Sequence, residues 1–444
     1  MREKEFLRQA LERMNIEELN AMQRNMLDAA SASGDILLLS PTGSGKTLAF
    51  LLYLLKILKA PCNRVQAVII APTRELVQQI YGVARTIMTG YKITALYGGH
   101  DVADEKASLA VTPDVIIATP GRLLDHSQRA NIELLDVSYL VIDEFDKALE
   151  LGFEKDMAKI ISRMKNVSRL ILTSATSLEV YPDFIKPKNL RVFNYLADSK
   201  DLRRRLRIHR IDSDARDKLD TLRRLLIDIM PTGSEKTIIF VNYRQSAERV
   251  AESLRKLGAD PGLYTGALDQ HDRENALALF NNGTRPLLVT TDLAARGLDI
   301  SEVKNIIHYH QPLTAESYIH RNGRTARVDA SGDAYLIIGP DEDVQEFISF
   351  DDTRYLGDKP ESRIPPSKVS TLYISAGRKE KISRGDVVGF LVNSGGLEAQ
   401  QIGAINVYDH YILVAIPRSE AKRVLQTITP LKIKGKKPRY SLVK

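Results

Sequence analysis

Residues 36–47 read Ile-Leu-Leu-Leu-Ser-Pro-Thr-Gly-Ser-Gly-Lys-Thr, and an apolar run of helical period begins at Leu48. A strand, a glycine-containing loop and a helix in this order are the context that a phosphate-binding loop requires. The glycines let backbone N–H groups approach phosphate oxygens, Lys46 is placed to reach the β- and γ-phosphates, and the Thr47 hydroxyl is placed to ligate Mg²⁺. Ser40, where the general pattern has glycine, is a mild departure. The residues predicted to bind ATP with Mg²⁺ are Thr42, Gly43, Ser44, Gly45, Lys46 and Thr47.

Short apolar runs recur on both sides of a polar, Arg-rich stretch at residues 197–207. Before it they lie at residues 67–70, 114–117, 139–142 and 170–172, and after it at 237–241, 286–289, 305–307 and 334–337. Near-continuous apolar strands separated by segments of helical period are typical of a parallel sheet covered on both faces. The sequence therefore predicts two α/β domains in tandem, with an ATP-binding domain at residues 1–200 and a second domain at 205–345.

The C-terminal tail differs from the rest of the chain in charge. Of the 444 residues, those at 368–444 include 14 Lys and Arg against 5 Asp and Glu, a net charge of +9 in a chain of net charge +7. An acidic, Pro-containing segment at 346–367 predicts a linker, and the tail predicts a small α+β domain. A solvated basic surface and a footprint for a polyanion both fit this charge.

Nothing in the sequence points to a membrane or to disulfide bonds. The chain has one cysteine, its first residues are charged, and no apolar run approaches the ~20 residues that span a bilayer. We expect a cytoplasmic protein.

Two further groups of residues extend the predicted nucleotide site. Asp143 and Glu144 end an apolar strand, where one carboxylate can hold Mg²⁺ through water and the other can orient or deprotonate the attacking water. The second domain has no phosphate loop, but residues 320–327 carry four basic or His side chains. They are either a solvent-facing helix start or arginines that reach the γ-phosphate when the domains close, a contact worth ~10³–10⁵ in rate.

Residues 6–340 resemble the DEAD-box RNA helicases of superfamily two. The motifs that carry the resemblance, beyond the phosphate loop, are Gln23, Ala-Pro-Thr-Arg-Glu-Leu at 71–76, Gly98-Gly99, Thr-Pro-Gly-Arg at 119–122, Asp-Glu-Phe-Asp at 143–146, Ser-Ala-Thr at 174–176, Gln270 with Arg273, and the runs at 291–299 and 320–327. The resemblance implies two tandem RecA-like parallel-sheet domains that bind ATP and single-stranded RNA.

The resemblance also implies roles for individual residues. It implies that Lys46, Glu144, Arg324 and Arg327 are catalytic and that Thr47 and Asp143 bind Mg²⁺. It also implies that Phe6, Gln23 and Asp299 contact the base or the ribose. RNA binding falls to Arg74, Gly99, Thr119, Gly121, Arg122, Gln270, Arg273 and Thr291, and coupling of hydrolysis to strand separation to Asp146, Ser174, Thr176 and His320.

The tail resembles the RNA-binding domain of DbpA-type helicases, which has an RNA-recognition-motif fold. Tyr373 and Tyr411 fall where such sheets carry aromatics that stack on bases, but Leu413 and Ile416 occupy two other such places, so the sheet is a poor RNA platform. Tyr373 can equally be a packing residue. The predicted phosphate contacts are Arg378, Lys379, Lys381, Lys434, Lys436 and Lys437.

Three residues depart from the family pattern. Phe145 replaces the family's alanine beside Glu144, and overpacking of a tight site typically costs ~1–3 kcal/mol; Asn322 and Ala326 replace Ile and Gly. We expect an ATP-dependent RNA helicase that locally unwinds or remodels structured RNA. The resemblance implies large-subunit ribosomal RNA and pre-ribosomal particles as partners. If Phe145 uncouples hydrolysis from unwinding, the alternative is an RNA-dependent ATPase or RNA chaperone that clamps or anneals RNA.

Overall fold

A computed structural model describes residues 2–41, 43–99, 102–176, 181–196, 205–292, 300, 303–325, 331–357 and 363–443; the side chains of residues 2–6 and 102–104 are left aside. The chain divides into two compact units whose main boundary lies between residues 204 and 205. Among the described residues, the first unit carries one sheet and the second unit carries two sheets. No described helix is both long and apolar enough to cross a membrane.

The first unit is built on a parallel sheet in the order β3-β4-β2-β5-β6-β1-β7, seven strands among its described residues. Alternate residues of each central strand fill two separate cores: Ile36 and Leu38 of β1 face one, and Leu37 and Leu39 face the other. Its elements are α1 (Arg2–Arg13), α2 (Ala21–Ala29), β1 (Ile36–Leu39), α3 (Lys46–Ile57), β2 (Ala67–Ile70), α4 (Arg74–Ile87), β3 (Ile93–Leu96), α5 (Val102–Leu109), β4 (Val115–Ala118), α6 (Pro120–Gln128), β5 (Tyr139–Ile142), α7 (Phe145–Glu150), α8 (Glu154–Ile161), β6 (Arg169–Ser174) and β7 (Arg191–Asn194).

The second unit begins with another parallel sheet, in the order β10-β11-β9-β12-β13-β8-β14 within the described part of the chain. The amphipathic helix α9 buries Leu222, Leu225 and Leu226 against it. Its elements are β8 (Leu206–Asp212), α9 (Leu219–Ile229), β9 (Thr237–Phe240), α10 (Arg244–Lys256), β10 (Gly262–Tyr264), α11 (Gln270–Asn281), β11 (Leu287–Thr290), β12 (Asn305–His308), α12 (Ala315–Asn322), β13 (Gly332–Ile338) and β14 (Asp352–Thr353).

The tail folds into an antiparallel sheet in the order β16-β17-β15-β18 with two helices, again counting described residues. The chain order β-α-β-β-α-β is that of a ferredoxin-like α+β domain. The elements are β15 (Val369–Ile374), α13 (Arg384–Asn393), a short 3₁₀ helix (Ala399–Gln401), β16 (Ile405–Val407), β17 (Ile412–Pro417), α14 (Arg418–Ile428) and β18 (Tyr440–Leu442).

The predicted fold class, two parallel-sheet domains followed by a small α+β domain, is confirmed. The predicted linker 346–367 includes an edge strand, because Asp352 and Thr353 pair with β8. Residues 197–204 and 358–362 lie outside the described residues.

The pairing of β14 with the sheet should weaken as pH rises. His209 Nδ1 lies 2.7 Å from Asp352 Oδ1 and Nε2 lies 2.9 Å from Asp333 Oδ1, so both ring nitrogens face carboxylates. Asp333, more than Asp352, raises the pKa of His209 against the opposing effect of burial. Because the folded-state pKa is raised, this stabilisation is complete below the unfolded value of about 6.5 and is lost as pH rises through the folded value.

We therefore expect the free energy of unfolding in urea to fall as pH rises above about 6.5, with a smaller fall in His209→Gln. Equal pH slopes for the two proteins would contradict this role of His209.

Candidate nucleotide and RNA site

The phosphate loop joins the end of β1 to the start of α3, as predicted. Gly43 and Gly45 have φ of 77° and 89°, in the left-handed region that favours glycine. Lys46 is buried, and its Nζ donates to the Ser40 carbonyl at 2.7 Å. The Ser40 hydroxyl, at the departure from the general pattern, donates to the Ser44 hydroxyl at 2.7 Å. The lysine therefore lies inside the loop that it is predicted to serve.

Helix α2 holds this loop in place. Asn20 caps the helix, and its Nδ2 donates to the Ser44 carbonyl at 3.1 Å. Gln23 Oε1 accepts from the Asn20 N–H, and its Nε2 lies 3.4 Å from the Gly45 carbonyl. A Cβ on Gly45 would lie 2.5 Å from Gln23 Nε2, so a side chain there would displace the Gln23 amide as well as strain the backbone at φ 89°. Asn20 is a residue that sequence reasoning missed; the capping box Asn-x-x-Gln was its available signal.

The acidic pair follows β5, as predicted. Asp143 and Glu144 are 2% and 6% exposed, and Glu144 has φ 48° and ψ 55°. Thr173 on the neighbouring strand β6 serves both residues, since its hydroxyl donates to Asp143 Oδ1 and accepts from the Glu144 N–H at 3.1 Å. Burial raises the pKa of Asp143, whereas the Thr173 hydrogen bond and the charge of Lys46 lower it. Thr173 was not among the predicted residues.

The predicted coupling residues of the first unit do meet. Asp146 Oδ2 accepts from the Ala175 N–H at 3.2 Å and from the Thr176 hydroxyl at 2.9 Å. The buried Ser174 hydroxyl donates to the Thr176 carbonyl at 2.6 Å. The segment after β5 is therefore tied to the segment after β6 by side-chain hydrogen bonds.

Replacing Thr173 with valine should lower ATP turnover about tenfold and stability by about 1–3 kcal/mol, because it leaves the buried Glu144 N–H without its acceptor. Steady-state turnover and urea unfolding check the two effects. Thr173→Ser, which keeps the hydroxyl, is the control, and wild-type turnover in Thr173→Val would contradict the bridging role.

The predicted RNA-backbone residues of the first unit are grouped near the ends of β2, β3 and β4. Arg74 begins α4, which Thr73 caps, and a Cβ on Gly98 would lie 3.0 Å from Arg74 Nη2. Thr119 is the N-cap of α6. Gly99 and Gly121 are exposed, whereas Arg122 is mostly buried, with Nε 3.1 Å from Glu105 Oε2.

The described part of the run at 320–327 is buried in the second unit. Arg321 is fully buried and paired with Asp292 and Asn242, which makes it a structural residue. His320 and Arg324 are also buried, at 0% and 3% exposure. A solvent-facing helix start, the alternative interpretation, is therefore wrong for these residues.

The unusual Asn322 has a partner that explains it. Its Oδ1 lies 2.9 Å from Nε2 of His308, and both side chains are buried. Burial lowers the pKa of His308 to about 3, so the ring is neutral and Nε2–H donates to Asn322. A polar residue therefore satisfies a buried histidine here.

Other predicted RNA residues of this unit lie at or near α11. Gln270 Nε2 donates to Glu274 at 3.1 Å, Arg273 donates to the Gly266 carbonyl at 2.8 Å, and Thr291 follows β11. Thr42, Asp299, Ala326 and Arg327, and the side chain of Phe6, fall outside the described residues.

The basic loops of the tail are exposed, as the predicted phosphate contacts require. They comprise Arg378, Lys379, Lys381, Lys434, Lys436 and Lys437. Arg378 donates to the Val407 carbonyl at 2.9 Å, and Lys434 pairs with Asp386 at 3.0 Å.

The outer face of the tail sheet packs against α11. The Tyr411 hydroxyl donates to Asn275 Oδ1 at 3.1 Å, and Thr371 and Thr284 share a hydrogen bond of 2.7 Å. Leu413 is 3% exposed although it lies outside the tail's own apolar core. Ile416, expected on the same face, packs in that core instead. Residues of α11 and of the turn after it therefore contact this face, and its weakness as an RNA platform stays a prediction.

The first parallel sheet carries a phosphate loop after β1 and an acidic pair after β5, two strands away, and the second parallel sheet has a similar strand order. Together these features define the core of a nucleotide-driven helicase. Comparison with known proteins gives the same answer. Residues 20–182 match the DEAD/DEAH box helicase family, 217–329 the helicase conserved C-terminal domain, and 371–442 the DbpA RNA binding domain.

The similarity extends over nearly the whole chain. It is 33% identical to the ATP-dependent RNA helicase DbpA of Escherichia coli, covering 96% of this chain and 94% of that protein. It is 30% identical to the DbpA helicase of Bacillus subtilis, covering 96% and 95%. The chain therefore belongs to the DEAD-box family of ATP-dependent RNA helicases and is of the DbpA type.

A solved structure agrees with this assignment. The DEAD-box helicase Mss116 bound to single-stranded RNA and UDP-BeF is 26% identical, with a TM-score of 0.67, covering 80% of this chain and 78% of that chain. As a family member the chain is an RNA-dependent ATP hydrolase, and RNA is its partner.

Proposed function

We propose that this protein unwinds or remodels structured RNA of the large ribosomal subunit during ribosome assembly in the cytoplasm. The observation that carries the proposal is the tail, which matches the DbpA RNA binding domain over residues 371–442 and exposes six basic side chains on two loops. Phosphate contacts from such loops position an RNA without requiring the sheet face. Pre-ribosomal particles are the proposed setting.

The nucleotide end of the reaction is assigned to the first unit. Lys46 would leave the Ser40 carbonyl to bind the β- and γ-phosphates, and the N–H groups at the start of α3 would face the same anion. Glu144 would orient or deprotonate the attacking water. Gln23, which contacts the loop backbone, is proposed to read the base, with Phe6 and Asp299 as further nucleotide contacts. Arg324 and Arg327 are proposed to stabilise the transferred phosphate.

Mg²⁺ fits the residues present. The buried Asp143 carboxylate and the Thr47 hydroxyl offer hard oxygen ligands, and a cation would offset the cost that burial places on the Asp143 charge. When bound, the ion would neutralise charge on the phosphates. Thr173 would orient the Asp143 carboxylate for this role.

Coupling of hydrolysis to RNA is assigned to Asp146, Ser174 and Thr176, with His320 from the second unit. The Asp146 carboxylate accepts from the Ala175 N–H and the Thr176 hydroxyl, which joins the segment that carries Glu144 to the end of β6. Phe145 leaves these bonds in place, which supports a helicase over a chaperone that anneals RNA without ATP. Arg74, Gly99, Thr119, Gly121, Arg122, Gln270, Arg273 and Thr291 are the proposed RNA contacts of the core.

The test compares ATP turnover with large-subunit ribosomal RNA, with unrelated RNA and without RNA. Wild type should respond selectively to ribosomal RNA. Replacing Lys434, Lys436 and Lys437 with alanine should raise the ribosomal RNA concentration for half-maximal turnover about tenfold, with no change for unrelated RNA. Alanine at Lys155, Lys165 and Lys186, exposed in the first unit, is the matched control.

If the tail variant is still stimulated selectively by ribosomal RNA, these lysines do not contact that RNA. If no RNA stimulates wild type, the assigned function itself is wrong.

A further inference from the structure

One buried carboxylate joins two segments of the first unit that lie in or next to the proposed contacts with the RNA backbone. Glu105, on α5, is 7% exposed. Its Oε1 accepts from the Tyr97 N–H at 3.1 Å, and its Oε2 lies 3.1 Å from Arg122 Nε and 2.8 Å from His126 Nε2. A buried acid with this many partners was not identified from the sequence.

Glu105 is itself held by a second pair of residues. His126 is fully buried, and its Nδ1 lies 3.1 Å from Nδ2 of Asn131. An amide N–H donating to Nδ1 requires the proton of a neutral ring on Nε2, which then donates to Glu105. The carboxylate therefore receives a hydrogen bond from a ring whose orientation Asn131 fixes.

The partners of Glu105 lie in or next to the proposed RNA contacts. Tyr97 immediately precedes Gly98 and Gly99, so its hydrogen bond fixes the start of that turn. Gly98 in turn has no room for a Cβ without displacing Arg74, whose Nη2 would lie 3.0 Å away. Arg122 ends the Thr-Pro-Gly-Arg segment, next to the exposed Gly121.

We propose that Glu105 is a positioning residue for RNA binding: it holds the Gly98-Gly99 turn and the Arg122 guanidinium in one arrangement without touching RNA. This rests on the proposed function, in which those segments contact the RNA backbone. A surface arranged before RNA arrives binds more tightly, since it has less side-chain and loop entropy to lose. Placing a negative charge behind such a surface is otherwise unfavourable for binding a polyanion.

The sign of this electrostatic effect makes the proposal testable. Glu105→Gln adds one unit of positive net charge, which by itself strengthens RNA binding. The amide has one oxygen where the carboxylate has two, so its N–H groups face either the Tyr97 N–H or the side chains of Arg122 and His126. Either orientation disturbs the arrangement at nearly constant volume. The proposal thus predicts weaker binding from a more positive protein.

The experiment uses the full chain and a short fluorescein-labelled oligouridine, with fluorescence anisotropy in the presence of AMP-PNP. Glu105→Gln should raise the Kd about tenfold. Turnover at saturating RNA and the KM for ATP should stay unchanged, a split that a general loss of structure would not produce. Glu133→Gln, the same charge change at an exposed residue of the same unit, is the matched control and should bind as well as wild type or better.

A second variant keeps the proposal open to refutation if Glu105→Gln does not fold. Asn131→Ala, at a partly exposed position, should raise the Kd about threefold, because the His126 ring loses the partner that fixes its orientation. If Glu105→Gln folds and binds RNA with wild-type affinity, the positioning role is wrong. If Glu105→Gln does not fold, wild-type affinity in Asn131→Ala has the same meaning. In both cases the proposed function itself is unaffected. If wild type fails to bind oligouridine, the RNA-binding role of the surface and the proposed function fail together.

Discussion

Replacing Glu144 with glutamine should lower RNA-stimulated ATP turnover by about 10²–10⁴-fold, the usual contribution of a positioned general base. Glu144 is buried beside Asp143 at the end of β5, and its backbone is held in the left-handed region by the Thr173 hydroxyl. The substitution keeps shape and hydrogen-bonding size but removes the group that orients or deprotonates water. Nucleotide affinity should change only a few fold, because the phosphate loop is untouched.

Single-turnover hydrolysis and nucleotide titration measured on one preparation separate these two effects. Glu154→Gln, the same change at an exposed residue in the first turn of α8, is the control and should match wild type. A Glu144→Gln protein that hydrolyses ATP within a few fold of wild type would contradict the assignment of the water-activating group. Loss of nucleotide binding would indicate instead that Glu144 supports the loop around Lys46.

The nucleotide side of the site was largely predictable because its signals are local. The signal is continuous along the chain: it consists of four apolar residues, then a loop with glycine at two left-handed positions, then an apolar helix. The same holds for the acidic pair, since a carboxylate that ends a buried strand of a parallel sheet must lie at the edge where the phosphate loop lies.

Residues that act through distant partners were not predictable in this way. Thr173 precedes the predicted Ser-Ala-Thr motif by one position, and only strand pairing shows that its hydroxyl reaches Asp143 and Glu144, 30 and 29 residues earlier. Glu105 lies on a helix with no periodic signal of its own, and its role depends on Arg122 and His126 from α6.

The edge strands and the tail show the same limit. The short or half-exposed strands β3, β7, β10 and β14 lack the continuous apolar run that predicted the central strands. By sequence, Tyr411 falls where an RNA-stacking aromatic is expected. The contact with Asn275 on α11, which is 136 residues away in the chain, assigns it to docking.

Phe145→Ala, which restores the residue that the family has beside Glu144, should destabilise this protein by about 3–5 kcal/mol, the usual cost of removing a buried Phe ring. The sequence alone suggested that the ring crowds the catalytic carboxylate. In the structure the side chain is fully buried in the apolar core on one face of the first sheet, where Ala118 and Ala148 are among the small members of the cluster. The ring therefore fills volume that alanine would leave empty.

Urea unfolding of the full chain measures the loss, and Phe145→Leu should lose less because it leaves a smaller cavity. Below the unfolding transition, turnover per folded molecule should remain within a few fold of wild type, since Asp146 keeps its hydrogen bonds to Ala175 and Thr176. An unchanged unfolding midpoint would show that the core closes around alanine. A Phe145→Ala protein that gains unwinding per ATP hydrolysed would instead restore the view that the phenylalanine acts on coupling, because packing alone gives no reason for such a gain.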